Sequence, residues 1–536
     1  MKKGDMLKAA SLKILDDVRR EHAVKAFTKP KRPRKEIFKE WLKDKVYEFC
    51  SVTSLHGYVH TIQKDYHPFE RYLWIILSFF ALIAAIVLLW ISWNWNAETP
   101  TTTVIESTNN PTYYLPFPAI TICNMNKISR LAALDIAKSM KRLNSSNITD
   151  EEMINKFKLI LHFQGNGVAT EKDYQELQDI LELNNQNVNY LLERVTPKCS
   201  EILERCMWKG SLWRCDSLFQ PINSSEGVCC SFNNYAFPTS NYDQKIMSSI
   251  PKEPRRVTAC GYQTGLSLLL KPNPDDYVGT EIASTGFRLM VHNAYDNADP
   301  NAVTKLLPSK SEAYLSIAPE STYSTDDVFQ LPPDSRNCLK SDERNMDTFS
   351  QYSYVNCVAE CRSAIVNFYC GCVPYNLPNN GTMKKCKIVP DLKCVRANFY
   401  RFAGSTFNIY NDSSEAAIKL QKKCKCLPDC LLNAYPSEVS TGSLFRQYSF
   451  NSLSFFKDIN LTDQTLIHIF FNDLISTHYR KDMYQNWLGV LAAFGGLLGL
   501  FLGFSLVTGF ELIYFFSLRT MFDKLAERTA QKDEHH

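Results

Sequence analysis

Apolar residues are scattered through most of this chain and then gather into two long blocks. From Tyr72 to Trp93 the string YLWIILSFFALIAAIVLLWISW holds no Asp, Glu, Lys, Arg or His, and at 1.5 Å rise per residue it can cross a hydrocarbon core of about 30 Å. Arg71 bounds it on one side, and Trp90, Trp93 and Trp95 supply an interfacial aromatic belt on the other. The second block runs from Leu488 to Leu518 with Glu511 as its only charge. It is about ten residues longer than a perpendicular helix needs, which predicts a tilt, a break or an extension beyond the bilayer.

Inside that block, FGGLLGLFLGFS sets Gly495, Gly499 and Gly503 four residues apart, with Gly496 beside them. Small residues at this spacing serve close helix packing. With exposed carbonyls and the hydroxyl of Ser505 they also suit a narrow cation passage. Both readings stand on spacing alone. The passage would require a closed ring of copies, because two spans cannot enclose a pore. An acid at Glu511 within a membrane faces protein or water.

Charge and cysteine usage orient the spans. Residues 1–71 carry 17 Lys plus Arg against 10 Asp plus Glu, a bias that predicts a cytoplasmic N-terminus. Two spans then return the C-terminus to the same side. Of 18 cysteines, 17 lie between Cys123 and Cys430, usage that suits an oxidising compartment. The sequons at Asn144, Asn147, Asn223, Asn380, Asn411 and Asn460 lie in the same region. The predicted organisation is a cytoplasmic region 1–71, a first span 72–95, an extracellular region 96–486, a second span 487–518 and a cytoplasmic tail 519–536. No signal peptide is expected, since roughly 70 polar residues precede the first span. The formal charge of +4 argues for no nucleic-acid partner. The basic run KPKRPRK, Lys29 to Lys35, is placed to touch anionic lipid or to act as a solvated segment that sets topology.

Cysteine spacing predicts cross-links within the extracellular region. Cys357 and Cys361 share one face of a predicted helix, and Cys424 and Cys426 share one face if that segment is extended. The two pairs could bridge into a ladder. A zinc site is the competing reading of the same spacings.

At this point four strings, in this order and topology, resemble the epithelial sodium channel, degenerin and acid-sensing channel superfamily. They are His56-Gly57 before the first span, FPAITICN at Phe117 to Asn124 after it, the cysteine pattern, and GLFLGFS followed by LVTGFEL at the second span. The resemblance covers nearly the whole chain. It implies an α+β membrane protein with two transmembrane helices flanking a disulfide-rich, hand-like ectodomain of palm, finger, thumb, knuckle and β-ball. It further implies a homotrimer and a sodium-selective, amiloride-sensitive pore of the plasma membrane, with no enzymatic activity and no cofactor. By the same resemblance Gly503, Phe504 and Ser505 form the selectivity tract, Gly499 is linked to amiloride block, and Ala492 takes the degenerin position. Gly495, Gly496 and Glu511 line the pore, while His56 and Gly57 belong to a re-entrant segment of the lower pore. The implied disulfides are Cys123–Cys229, Cys206–Cys215, Cys338–Cys430, Cys357–Cys426, Cys361–Cys424, Cys370–Cys394 and Cys372–Cys386. Of Cys199, Cys230 and Cys260, two can pair and one is left over, and Cys229 and Cys230 could exchange roles.

Departures from the pattern bear on gating. WNWNAETPTTTVIEST, just after the first span, lacks histidine, and LPPDSRNC places Asp334 where the acid-sensing branch carries Trp. Both weaken a proton sensor. The tail lacks the PPxY string of epithelial subunits. By elimination the chain most resembles the invertebrate neuropeptide-gated branch, opened by short peptides ending in Arg-Phe-amide. A finger region from about Asn126 to Gly227 mixes acids with Phe163, Tyr174, Tyr190, Trp208 and Trp213, which suit either a cationic aromatic ligand or the finger's own core. Arg255-Arg256 reads as a protease site or an exposed loop. Proton-gated, constitutive and mechanically gated channels of the same superfamily are the alternatives, and two-pass ectoenzymes, receptors and ATP-gated channels are more distant ones. The extracellular region carries no GxGxxG or Walker string to support an enzyme.

Overall fold

A computed structural model of the chain describes residues 34–140, 148–163, 170–224, 226–238, 250–280, 282–299, 302–389, 391–402, 414–444, 454–523 and 525–526. The chain divides into two units, Met1–Pro100 with Tyr484–His536, and Thr101–Met483.

In the first unit the Tyr72–Trp93 block is the middle of a helix, Pro68–Glu98. It starts four residues earlier than the apolar run because Pro68 suits a first helical turn and the His67 side chain accepts the Phe69 N–H. The second block is not one helix. Trp487–Leu502 and Leu506–Asp523 meet at a break bent by 71°, so a break is what accommodates the excess length. Each of the two blocks is long and apolar enough to cross a membrane, the second if its two halves form one span. Before Pro68–Glu98 lie an arm helix, Arg34–Val52, and a short helix, Tyr58–Ile62. The arm helix packs Phe49 and the buried Cys50 against Phe515. Lys45 pairs with Asp523 at 2.8 Å and Glu48 with Arg519 at 2.5 Å. The run from Lys29 falls outside the described side chains.

Among the described residues the second unit holds four sheets, with strands numbered in chain order. A four-stranded sheet joins β1 (Thr101–Pro111), β17 (Ile475–Met483), β13 (Glu320–Ser324) and β14 (Leu432–Ala434) in that order. β1 and β17 run antiparallel from Thr101 opposite Met483 to Pro111 opposite Ile475. A five-stranded sheet has the order β11 (Val303–Pro308), β10 (Gly286–His292), β2 (Ala119–Asn124), β7 (Gly227–Phe232) and β6 (Phe219–Ser224). A six-stranded sheet has the order β15 (Ser437–Ser443), β12 (Ser311–Ile317), β16 (Thr465–Phe471), β8 (Leu266–Leu270), β4 (Leu203–Trp208) and β5 (Ser211–Trp213). Among the described residues β3 (Asn126–Ser129) pairs with β9 (Tyr277–Thr280) in a two-stranded sheet.

The largest core draws on both wide sheets, with Ile120, Phe232 and Leu289 from one and Leu268, Leu315 and Ile469 from the other. Burying two apolar faces against each other is the standard solution for paired sheets. FPAITICN contributes Phe117, fully buried, whose ring lies 5.1 Å from Trp208 and 5.3 Å from Phe471. A second core is helical, formed by Arg130–Ser139, Asp150–Phe157, Glu171–Leu183 and Val188–Val195. Thr149 and Thr170 begin two of these helices with capping boxes to Glu152 and Asp173.

Eight disulfides staple this unit. The seven pairs implied by the resemblance are joined, and Cys199 joins Cys230, which leaves Cys260 free and half-buried. Cys357 and Cys361 do share a face of helix Tyr354–Cys370. The segment facing them is not extended at its start, since Cys424 ends helix Glu415–Lys423. The cysteine groupings with metal-like spacing, Cys357, Cys361 and Cys426 and the pair Cys372 and Cys386, are all in disulfides, so these sulfurs are not free zinc ligands.

Candidate functional site

Gly503 ends the leading half-helix Trp487–Leu502 in the left-handed conformation, φ 66° and ψ 19°. Without a Cβ it adopts this backbone at little cost, and it turns the chain out of the helix. Its N–H donates to Gly499 O at 2.9 Å, and the Phe504 N–H reaches Leu498 O at 3.3 Å. Ser505 then begins the trailing half-helix Leu506–Ile513 as its N-cap, its Oγ accepting the Thr508 N–H at 3.2 Å. The three residues between the half-helices are therefore Gly503, Phe504 and Ser505.

The His-Gly segment holds this break from the side. The His56 N–H donates to Leu502 O at 2.9 Å. Its ring covers Gly503 so closely that a Cβ there would lie 2.6 Å from His56 Cδ2 and 2.7 Å from Nε2. Ser54 Oγ lies 2.9 Å from Thr508 Oγ1 and donates to Glu511 Oε2 at 3.3 Å, so the same segment also grips the trailing half-helix. Thr508 is fully buried. Gly57, at φ 83°, lets the segment turn into Tyr58–Ile62, and a Cβ on it would come within 3.0 Å of Ser78 Oγ. Leu502, Ser54 and Thr508 were not singled out from sequence. The Ser505-x-x-Thr508 spacing is the one signal that could have found a helix start there.

Among the described residues the glycine face has no partner. At 100° per residue, Ala492, Gly495, Gly496 and Gly499 fall on one side of the leading half-helix and Phe494 on the opposite side. Phe494 meets Trp93 of helix Pro68–Glu98, ring centroids 6.3 Å apart. A Cβ at Gly495 or Gly496 would meet nothing within 4 Å. These small residues do not pack the leading half-helix against Pro68–Glu98. The Phe504 carbonyl turns toward this face, 3.8 Å from where a Gly499 Cβ would sit, while its ring packs near Gly509.

In the second unit the structure decides between readings that the spacing left open, and for two of the finger aromatics it favours the core. Tyr174 and Trp208 are core residues, 4% exposed each, because Tyr174 lies on the buried stripe of its helix and Trp208 between the two wide sheets. Trp213 is exposed and Tyr190 half-exposed, and the Phe163 side chain lies outside the described residues. Arg255-Arg256 lies in a loop, with Arg256 exposed and Arg255 half-buried, and backbone and side-chain hydrogen bonds tie that loop down. The Arg255 N–H donates to Asn233 Oδ1 at 2.7 Å, and Arg255 O accepts from Phe117 at 2.8 Å. Asn223, Asn380 and Asn460 are exposed, and Asn144, Asn147 and Asn411 lie outside the described residues.

Asp429 and Asp296 form a titratable cluster away from the break. Burial, with the Asp296 charge second, pushes Asp429 up to about 7 against the Tyr354 N–H it accepts. Burial raises Asp296 to about 6.

Comparison with known proteins places these features. The chain is 26% identical over 495 residues to the sodium channel protein Nach of Drosophila ananassae, covering 91% of this chain and 89% of that protein. It is 27% identical over 474 residues to pickpocket protein 11 of Drosophila melanogaster, covering 88% and 75%. It is 25% identical over 504 residues to the bile acid-sensitive ion channel of Mus musculus, covering 88% and 87%. The amiloride-sensitive sodium channel family matches residues 49–515, from the arm helix through the break to Phe515, and the chain belongs to that family.

Proposed function

We propose that three copies of this chain close a sodium-selective pore in the plasma membrane, with both termini cytoplasmic, narrowest at Gly503, Phe504 and Ser505. The observation that carries this reading is the break itself, with an αL glycine clamped by His56 beneath an unpartnered glycine face. Repeated around a threefold axis, the Phe504 carbonyls and Ser505 hydroxyls would replace part of the hydration shell of Na⁺. The carbonyl end of the leading half-helix adds a field favouring cations. Ala492, Gly495, Gly496 and Gly499 would line the approach, with amiloride blocking near Gly499, and Glu511 would lie below the tract.

Opening is assigned to an extracellular ligand, a short peptide ending in Arg-Phe-amide. A polar cleft of about 890 Å³ in the second unit supports a cationic ligand, since Asp135, Glu201, Glu204 and Asp276 line it, against Arg194, Lys198 and Lys271. A second reading, opening by acid, is favoured by the Asp296–Asp429 pair, which would change charge near neutral pH.

The test is voltage clamp of cells expressing this chain alone, in sodium solution with and without amiloride. Peptide-evoked, amiloride-sensitive inward current supports the first reading, and current evoked only by an acid step supports the second. Current whose ion selectivity is unchanged by Ser505→Ala or Gly503→Ala would overturn the assignment of the tract.

A further inference from the structure

Asn223 sits on β6, the edge strand of the five-stranded sheet, where Pro221 and Asn223 face outward and Ile222 and Ser224 inward. Its side chain opens on a groove made of three adjoining cavities of about 270, 120 and 520 Å³, all of which share Asn189 and Lys385. The lining is rich in amides, with Asn297 and Asn376 on the floor and Tyr375 as its aromatic wall. Asn297 is 5% exposed and its Oδ1 has no hydrogen-bond partner, although its N–H donates to Asn356 Oδ1 at 2.9 Å. That oxygen is itself shut off from the groove, so the amide the groove offers a ligand is that of the half-buried Asn189.

We propose that this groove is the seat of an N-linked sugar on Asn223, its first residues held against Asn189 and Tyr375. A neutral, hydroxyl-rich ligand fits an amide lining, and Tyr375 offers a ring for the apolar face of a pyranose. The tether supplies the affinity. A covalently attached sugar faces the groove at an effective concentration in the millimolar range or above, so individually weak contacts suffice. Lys384, Lys385 and Lys387 rim the groove, which disfavours a cationic peptide there and leaves a neutral sugar unaffected. In the modification, a bond forms between Asn223 Nδ2 and C1 of the sugar while the bond from C1 to a lipid diphosphate carrier breaks, and the amide proton leaves with the diphosphate. The inference rests on the extracellular placement of Thr101–Met483.

The experiment is site-resolved glycopeptide mass spectrometry on the full-length channel expressed in mammalian cells, comparing Asn223 with the exposed sites Asn380 and Asn460. A seated sugar is shielded from processing, so Asn223 should carry oligomannose and resist glycosidase on the folded channel, while Asn380 and Asn460 carry trimmed or complex chains. Asn189→Trp, which fills the groove with the sequon intact, should convert the Asn223 sugar to the processed type. The comparison within the unmodified protein stands even if that variant folds poorly. A processed sugar at Asn223, or a bare Asn223 beside occupied Asn380 and Asn460, overturns the proposal. Three bare sites would overturn it through the topology on which it rests.

Discussion

His56 and Gly503 are locked face to face: the imidazole occupies the space a side chain on Gly503 would need, with a prospective Cβ 2.6 to 2.8 Å from three ring atoms. The His56 N–H is bonded to the residue just before that glycine, Leu502, at 2.9 Å. A glycine is thus required twice at one position, for its left-handed φ of 66° and for the ring above it.

These two requirements can be separated. Gly503→Ala should distort the break through both, with the backbone part alone worth roughly 1–2 kcal/mol. His56→Ala frees the space but not the backbone. The double variant should therefore be less impaired than the sum of the single ones, with an interaction energy of about 0.5–3 kcal/mol in the open–closed equilibrium or in the sodium-to-potassium permeability ratio. Strictly additive effects would mean that the ring and the glycine do not act as a unit.

Cys260 is the cysteine of the second unit left without a partner, and it is half-buried. On intact cells a membrane-impermeant maleimide should label the channel once per chain, and Cys260→Ser should abolish the label. Labelling that survives Cys260→Ser would show that one of the eight bridges is open.

Much of this was legible in the chain. The two apolar blocks stood out as continuous runs, and the excess length of the second allowed a tilt, a break or an extension, of which the structure shows the break, at Gly503. What the sequence left hidden is long-range. The parallel pairing of β13 with β17 sets Ser321 beside His478 across more than 150 positions, and no local pattern encodes it. Tyr174 was open to a ligand role because its composition was weighed without its period. With Leu177 and Leu181 it forms the i, i+3, i+7 stripe of a buried face, which already favours core. Ser54 and Thr508 escaped because their roles exist only when two distant segments meet.

The unpartnered glycine face discriminates a pore from helix packing. In a Cys260→Ser background, cysteines placed singly at Ala492, Gly495 and Gly496 should react with a small charged thiol reagent applied from outside to the open channel and block its current. A cysteine at Phe494, on the face that meets Trp93, should be protected. Equal protection at all four positions would mean that neighbouring helices cover the glycines and the pore lies elsewhere.

Asp429 gives the second unit a pH-dependent stability of predictable sign. In the folded chain burial keeps this carboxyl protonated up to about 7, from an ordinary value of 3.8, with Asp296 raised to about 6 beside it. Between about pH 4 and 7 the folded state therefore binds more protons than the unfolded one, and stability falls as pH rises through that window. The slope contributed by one such proton is at most about 1.4 kcal/mol per pH unit. Thermal melts of the detergent-solubilised channel from pH 4 to pH 8 should show the melting temperature declining toward neutrality. Asp429→Asn, which fixes the neutral form while keeping an oxygen to accept the Tyr354 N–H, should flatten that decline. A variant with an unchanged pH profile would place the titration on another group, and an increase in stability toward neutral pH would contradict the burial argument for both carboxyls.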